Sequence, residues 1–104
     1  MLKDSIAKAL RIGTASAAAL DTEFDRVIRT ARAEMIRLGV SDIVANSSHD
    51  LVEDAIITFG LVKMGPKEDY ERNKESWEYQ LDCLRKSKII IEEKAEEEDA
   101  TDEE

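Results

Sequence analysis

Apolar residues recur along this chain at the spacing of helix faces, and the pattern predicts four helices. The first spans about residues 2–12, where an apolar residue at every fourth position precedes Gly13, a residue type that commonly ends helices. The second spans about residues 20–38 and ends before Gly39, which suits the position after a helix. Its apolar stripe consists of Leu20, Phe24, Val27, Ile28, Ala31, Met35 and Leu38.

The segments on either side of the second helix are predicted to be irregular. Residues 15–19 are expected to connect the first two helices, and either Ser16 or Asp21 could cap the second. Residues 40–48 form a predicted loop, because Ser, Asn and Asp side chains bond to nearby backbone and disfavour regular structure. Three apolar residues of this loop are expected to pack against the body or a neighbouring molecule: Val40, Ile43 and Val44.

The third predicted helix, about residues 49–64, is apolar on nearly every face, and Ser47 or Ser48 is its candidate cap. A helix of this kind lies in the centre of a bundle or against a partner subunit. Gly60 lies in its middle, where glycine costs roughly 1 kcal/mol relative to alanine. We therefore expect Gly60 to allow the close approach of another helix.

A Gly-Pro pair at residues 65–66 separates the third helix from the fourth, which spans about residues 66–88. The apolar stripe of the fourth helix is thin. Tyr70 and Trp77 share this stripe and are predicted to lie in the core, whereas Tyr79 projects from another face.

A short run of three isoleucines, Ile89, Ile90 and Ile91, follows the fourth helix. Two interpretations remain open. The run forms the last turn of the fourth helix and packs against the body, or it anchors the chain on a partner. Tyr79 is an aromatic residue on a charged face, a type that is enriched at interfaces. These four residues are the candidate partner contacts.

Composition and charge favour a single all-α domain, a small bundle of about four helices. The chain has 104 residues with four glycines, one proline and one cysteine, which excludes an internal disulfide. Acids outnumber bases by 24 to 15, and nine acids but only one base lie between Glu92 and Glu104, which leaves 15 acids and 14 bases elsewhere. We therefore predict a helical domain over residues 1–91 and a disordered acidic tail over residues 92–104.

The sequence carries no recognisable catalytic, cofactor or metal motif, so a protein without enzymatic activity or cofactor is expected. His49 is the only histidine and lies at a helix start, where a cap or surface role is the ordinary one. Cys83 has no second cysteine and no nearby histidine with which to form a metal or nucleophilic site. Four arginines of the second helix could contact phosphate, but interleaved acids favour a solvated face: Arg26, Arg29, Arg32 and Arg37.

Three segments resemble helices of the tailed-phage head–tail connector proteins, a family of head-completion adaptors. Residues 28–40 (IRTARAEMIRLGV) resemble the long second helix of that family, residues 50–59 (DLVEDAIITF) its next helix, and residues 70–87 its last. The resemblance covers about residues 2–88. The chain departs from the family pattern where Leu51 follows Asp50 in place of a frequent proline, and in a slightly long link between the first two helices.

The resemblance implies a small helical structural protein of the virion that self-associates into a ring beneath the portal once the head is filled with DNA. Such a ring binds the portal and the next connector or tail component, and it passes DNA without sequence-specific binding. The implied location is the head–tail junction of the virion, after a stage in the host cytoplasm. No membrane partner is implied. Segments after the last helix reach toward the portal in this family, which favours Ile89 to Ile91 as contacts.

Two other functions remain open. An acidic regulatory or DNA-mimic protein would bind a basic partner through its tail, and that binding would weaken strongly with salt. A helix-turn-helix regulator is disfavoured, because the nine-residue loop is long for that motif and the third helix is too apolar for a recognition helix.

Overall fold

The structure, a computed structural model, describes residues 2–87 and 90–92, and within those ranges it contains helices and no strands. The elements are α1 (Leu2–Ala9), α2 (Thr14–Ala19), α3 (Asp21–Arg37), α4 (Asp42–Ala45), α5 (Asp50–Met64), a 3₁₀ turn (Lys67–Asp69) and α6 (Tyr70–Lys86). The all-α class is confirmed. The four predicted helices correspond to α1, α3, α5 and α6, and the predicted number was too low because two short helices and the 3₁₀ turn lie between them.

The first helix ends three residues earlier than predicted, because Arg11 adopts a left-handed backbone conformation with φ 59°. The Ile12 amide donates to the Ala7 carbonyl and the Arg11 amide to the Lys8 carbonyl, which is the Schellman arrangement of a helix end. Gly39 occupies the equivalent position after α3 with φ 101°. The helix end predicted at Gly39 is thus confirmed.

Both segments that were predicted to be irregular contain a short helix. The alanine-rich segment forms α2, which agrees with the high helix propensity of alanine. Leu20 is the N-cap of α3 and makes no side-chain cap bond, so Ser16 and Asp21 were wrong as caps. Ser41 caps α4, and its hydroxyl accepts a hydrogen bond from the Val44 amide at 3.3 Å.

The apolar helix α5 lies in the centre of the bundle and contacts α1, α3 and α6. Its N-cap is His49, whose Nδ1 accepts from a backbone amide two residues on, so the predicted caps Ser47 and Ser48 were wrong. A β-carbon added at Gly60 would lie 3.2 Å from Cγ2 of Ile6 on α1. The predicted close approach of another helix at Gly60 is therefore confirmed.

The core is built from one face of each long helix. Phe59 on α5 and Trp77 on α6 pack with ring centroids 4.9 Å apart at an interplanar angle of 54°. Tyr70 is 42% exposed, so its predicted core position was wrong. The largest fully buried side chains are Phe24, Ile6, Met35, Ile56, Leu84, Ile91, Val44 and Val52.

Arg32 fixes the link between α4 and α5 onto α3. Its Nη1 donates to the carbonyls of Ala45 at 2.7 Å and Ser47 at 3.0 Å. Burial lowers the pKa of the Arg32 guanidinium, and the nearby Glu53 partly opposes that effect. Arg32 therefore does not belong to a solvated arginine row, because it satisfies backbone carbonyls inside the fold.

Candidate interaction surfaces

Two hydrogen bonds connect the turn between α3 and α4 with the C-terminal part of the described chain. Arg85 Nη1 donates to the Leu38 carbonyl at 2.7 Å, and Ser41 Oγ donates to Glu92 Oε1 at 2.7 Å. Leu38 is the C-cap of α3 and Ser41 the N-cap of α4, so the turn between them binds the last turn of α6 through Arg85 and the chain after α6 through Glu92. Glu92 was predicted to begin the disordered tail and instead bonds to the body; residues 93–104 lie outside the described residues.

Three large apolar side chains that lie close in sequence to these hydrogen-bonded residues are partly exposed, and together they are termed the end surface: Leu38 (37%), Ile43 (48%) and Ile90 (70%). Ile43 lies two residues after Ser41, and Ile90 lies two residues before Glu92. Val40 and Val44, the other apolar residues of the predicted loop, are buried in the body. The end surface thus offers apolar area that a partner could remove from water.

The isoleucine run after α6 divides between the core and the surface. Ile91 is 1% exposed, and its amide donates to the Ser87 carbonyl at 3.1 Å. This core position contradicts the role of Ile91 as a candidate partner contact. It agrees with the alternative, in which the run forms a last helical turn that packs against the body. Ile90 remains available on the end surface, whereas Ile89 lies outside the described residues.

Tyr79 lies apart from the end surface, on the outer face of α6. It is 71% exposed and lines a shallow pocket of about 420 Å³ with Arg72, Glu75 and Ser76. Residues two apart on a helix do not face each other, so Tyr79 projects away from the buried Trp77. Its predicted separate face is confirmed, and its role as a partner contact stays a prediction.

A groove of about 590 Å³ lies between α3, α5 and α6 and is termed the basic groove. Phe59, Val62, Trp77 and Leu81 supply its apolar lining. Its charged lining consists of four bases and two acids: Arg37, Lys63, Lys74, Arg85, Glu34 and Glu78. The groove therefore carries a local excess of two positive charges beside the aromatic side chains of its lining.

Two of the four bases in the groove have acidic neighbours. Arg37 Nη2 lies 2.7 Å from Glu34 Oε2, and hydrogen bonds from Arg37 hold the pKa of the Glu34 carboxyl below its usual value. Arg85 Nη2 lies 3.7 Å from Asp82 Oδ1. These two guanidinium groups are thus partly neutralised within the chain.

The two lysines of the groove differ from these arginines. Within residues 2–87 and 90–92, neither Lys63 nor Lys74 forms an ion pair with an acid. Lys63 Nζ lies 5.3 Å from the centroid of the Phe59 ring in a cation–π geometry, and its charge acts on Glu34 only at longer range, without an ion pair. An acidic ligand would therefore meet two available ammonium groups beside aromatic side chains.

The described part of the chain offers little for other kinds of chemistry. It contains no group of three or more His, Cys, Asp or Glu residues that could hold a metal ion. His49 is engaged as the cap of α5, and Cys83 is a half-buried free thiol on α6. A separate finding from residues 2–87 and 90–92 is that no helix there is long and apolar enough to cross a membrane.

Sequence reasoning did not predict the basic groove, because its residues come from three helices whose packing had to be known. One local signal exists on α6. Asn73 or Lys74 interrupts the apolar stripe, and Lys74 lies three residues before Trp77, a spacing that places both side chains on one helix face. A base beside a buried aromatic on the same face indicates a mixed surface rather than a plain core stripe.

Compared with family models, with curated proteins and with solved structures, the chain shows no significant match.

Proposed function

We propose that this protein is a ring-forming head–tail connector of a tailed phage or prophage. In this proposal it has no enzymatic activity or cofactor, self-associates, docks beneath the portal after DNA packaging and links the head to the next connector or tail component. It acts at the head–tail junction of the virion after a stage in the host cytoplasm. The order of helices over residues 2–86 and the resemblance of about residues 2–88 to that family support the proposal.

The end surface is the observation that carries the self-association. Exposed Leu38, Ile43 and Ile90 lie within two residues in sequence of Leu38, Ser41 or Glu92, which form the hydrogen bonds between the α3–α4 turn and the C-terminal part of the described chain. Partly exposed large apolar side chains favour a protein contact, since burial against another subunit removes them from water. The apolar helix α5 adds no support, because α1, α3 and α6 already surround it.

A closed ring needs two different contact surfaces on each subunit, since head-to-tail contacts join unlike patches. The end surface is one candidate. The outer face of α6 around Tyr79 is the second, because Tyr79 is 71% exposed and lies apart from the end surface. In the proposed ring, the end surface of one subunit meets the Tyr79 face of the next.

The charge of the body suits a conduit for DNA. Residues 1–91 carry 15 acids and 14 bases, so the body lacks the basic excess that tight binding of phosphate groups requires. The four bases of the basic groove are accompanied by two acids. Such a body would let the duplex pass without holding it.

Native mass spectrometry over a range of protein concentrations tests the proposed ring. The unaltered chain is expected to form one closed oligomer, alone or on its portal. Ile43→Asp and Ile90→Asp should each abolish the oligomer, because an ionised carboxylate would be buried at the contact. Leu51→Asp is the matched control. Leu51 is similarly exposed, at 46%, but it lies at the start of α5 and does not belong to the end surface.

A chain that stays monomeric at high concentration and with its portal would contradict the connector proposal. The acidic regulatory alternative predicts a different result. In that case binding to a basic partner would depend on the acids of residues 92–104 and on salt, while Ile43→Asp would leave it unchanged.

A further inference from the structure

We propose that the acidic segment of residues 93–104 lies along the basic groove of its own chain. The segment contains eight acids and one base, a net charge of −7, and it follows directly on Glu92. The groove, between α3, α5 and α6, has four bases and two acids in its lining. This docking is independent of the proposed connector function, since it concerns contacts within one chain.

Charge complementarity favours the groove because four bases share its lining, whereas other bases without an ion pair in the described chain, such as Lys8 and Arg29, lie outside it. Several other bases already pair with acids of the described chain, among them Lys3, Arg26, Arg72 and Lys86. Lys63 and Lys74 make no such pair and line the same groove. A segment of charge −7 placed there meets two available ammonium groups and the partly neutralised Arg37 and Arg85.

The position of Glu92 places the start of the segment at one end of the groove. Leu38 and Arg85 line that end and are joined by a 2.7 Å hydrogen bond. Three residues beyond Leu38, Ser41 Oγ holds the Glu92 carboxylate at 2.7 Å. The acidic segment therefore leaves the body beside the groove that its charge fits.

The segment is long enough to follow the whole groove. On α6 the lining extends from Arg85 back to Tyr70, which corresponds to ~22 Å of helix at 1.5 Å per residue. Twelve residues in extended form reach ~40 Å. Because the segment is tethered at Glu92, docking within the chain has a high effective concentration and needs only weak individual ion pairs.

Resonance energy transfer within the full chain tests this docking. Trp77 is the only tryptophan and lines the groove, so it serves as the donor. The acceptor is attached to the thiol introduced by Thr101→Cys in a chain that also carries Cys83→Ala. We expect strong transfer at low ionic strength, independent of protein concentration, and a clear loss of transfer in ~1 M salt, where charges are screened within ~3 Å.

Charge-reversal variants make the test specific to the groove. Lys63→Glu with Lys74→Glu should remove the salt-sensitive transfer, and Glu96→Lys with Glu97→Lys in the same chain should restore it. Lys8→Glu with Arg29→Glu is the matched control, because it changes the net charge equally at exposed bases outside the groove. Far-UV circular dichroism of each variant verifies that the helices are retained.

Three outcomes would overturn the proposal. Transfer that does not respond to salt or to the lysine reversals would show that the segment does not dock in the groove. An equal loss of energy transfer in the groove variant and in the control would show that the acidic segment is attracted only by the overall charge of the body. Transfer that rises with protein concentration would show that the groove accepts the acidic segment of a second copy instead.

Discussion

Ser41 Oγ donates a 2.7 Å hydrogen bond to Oε1 of Glu92, 51 residues later in the chain. The same hydroxyl oxygen accepts a hydrogen bond from the Val44 amide and so caps α4. One side chain thus begins a helix and attaches the residues after α6 to the body. The bond also attaches Glu92 to the body, whereas charge alone had placed Glu92 in the acidic tail.

Replacing Ser41 should therefore cost more than replacing an ordinary surface serine. Ser41→Ala is expected to lower the free energy of unfolding by about 1–3 kcal/mol, because it removes a helix cap and a hydrogen bond to a charged group. Urea unfolding followed by circular dichroism measures the loss. Glu92→Ala should cost less, since the cap survives, and Ser76→Ala on the exposed face of α6 should cost almost nothing. Equal values for Ser41→Ala and Ser76→Ala would contradict this account.

Arg11 lies in a left-handed conformation that is unfavourable for residues with a β-carbon. Arg11→Gly should therefore raise the free energy of unfolding by about 1 kcal/mol, because glycine adopts this helix-end geometry without steric cost. The thermal unfolding midpoint should rise accordingly. Gly39→Ala is the reciprocal change, since Gly39 has φ 101° after α3, and it should lower the midpoint. A fall in the midpoint for Arg11→Gly would show that the arginine side chain contributes more than the strain costs.

The same two helix ends show what the sequence can and cannot predict. Gly39 marks the end of α3 in the sequence, because glycine favours that conformation. Arg11 gives no such signal in the sequence, so the predicted end of α1 was three residues too late. The helix α2 was not predicted because residues 15–19 show no apolar stripe. Periodicity predicted the long helices well, since their buried faces repeat along the chain. The basic groove depends on how three of them pack, which no local pattern records.

Two aromatic residues of α6 should differ sharply in their contribution to stability. Trp77 is buried against Phe59, and Trp77→Ala is expected to lower the free energy of unfolding by about 3–5 kcal/mol through lost burial and a residual cavity. Tyr79 is 71% exposed, and Tyr79→Ala should change stability by no more than about 0.5 kcal/mol. Circular dichroism is the readout, because the first variant lacks the tryptophan. Comparable losses would place Tyr79 in a packed environment.

The Glu34–Arg37 ion pair should contribute to the acid sensitivity of the fold. Arg37 Nη2 lies 2.7 Å from Glu34 Oε2, and this hydrogen bonding lowers the pKa of Glu34 from its ordinary value of 4.5. Since the folded pKa is the lower one, the stabilisation is fully present above pH 4.5 and is lost as the pH falls through the folded pKa.

Glu34→Gln should therefore flatten the decline of unfolding free energy between neutral pH and the acid range, although solvent screening keeps the change small. Urea unfolding at a series of pH values, with and without high salt, measures this slope. Glu71→Gln removes one exposed carboxylate from α6 that makes no ion pair within the described residues and serves as the control. If the unfolding free energy of both variants falls with pH as steeply as that of the unaltered chain, the Glu34–Arg37 pair does not couple protonation to folding.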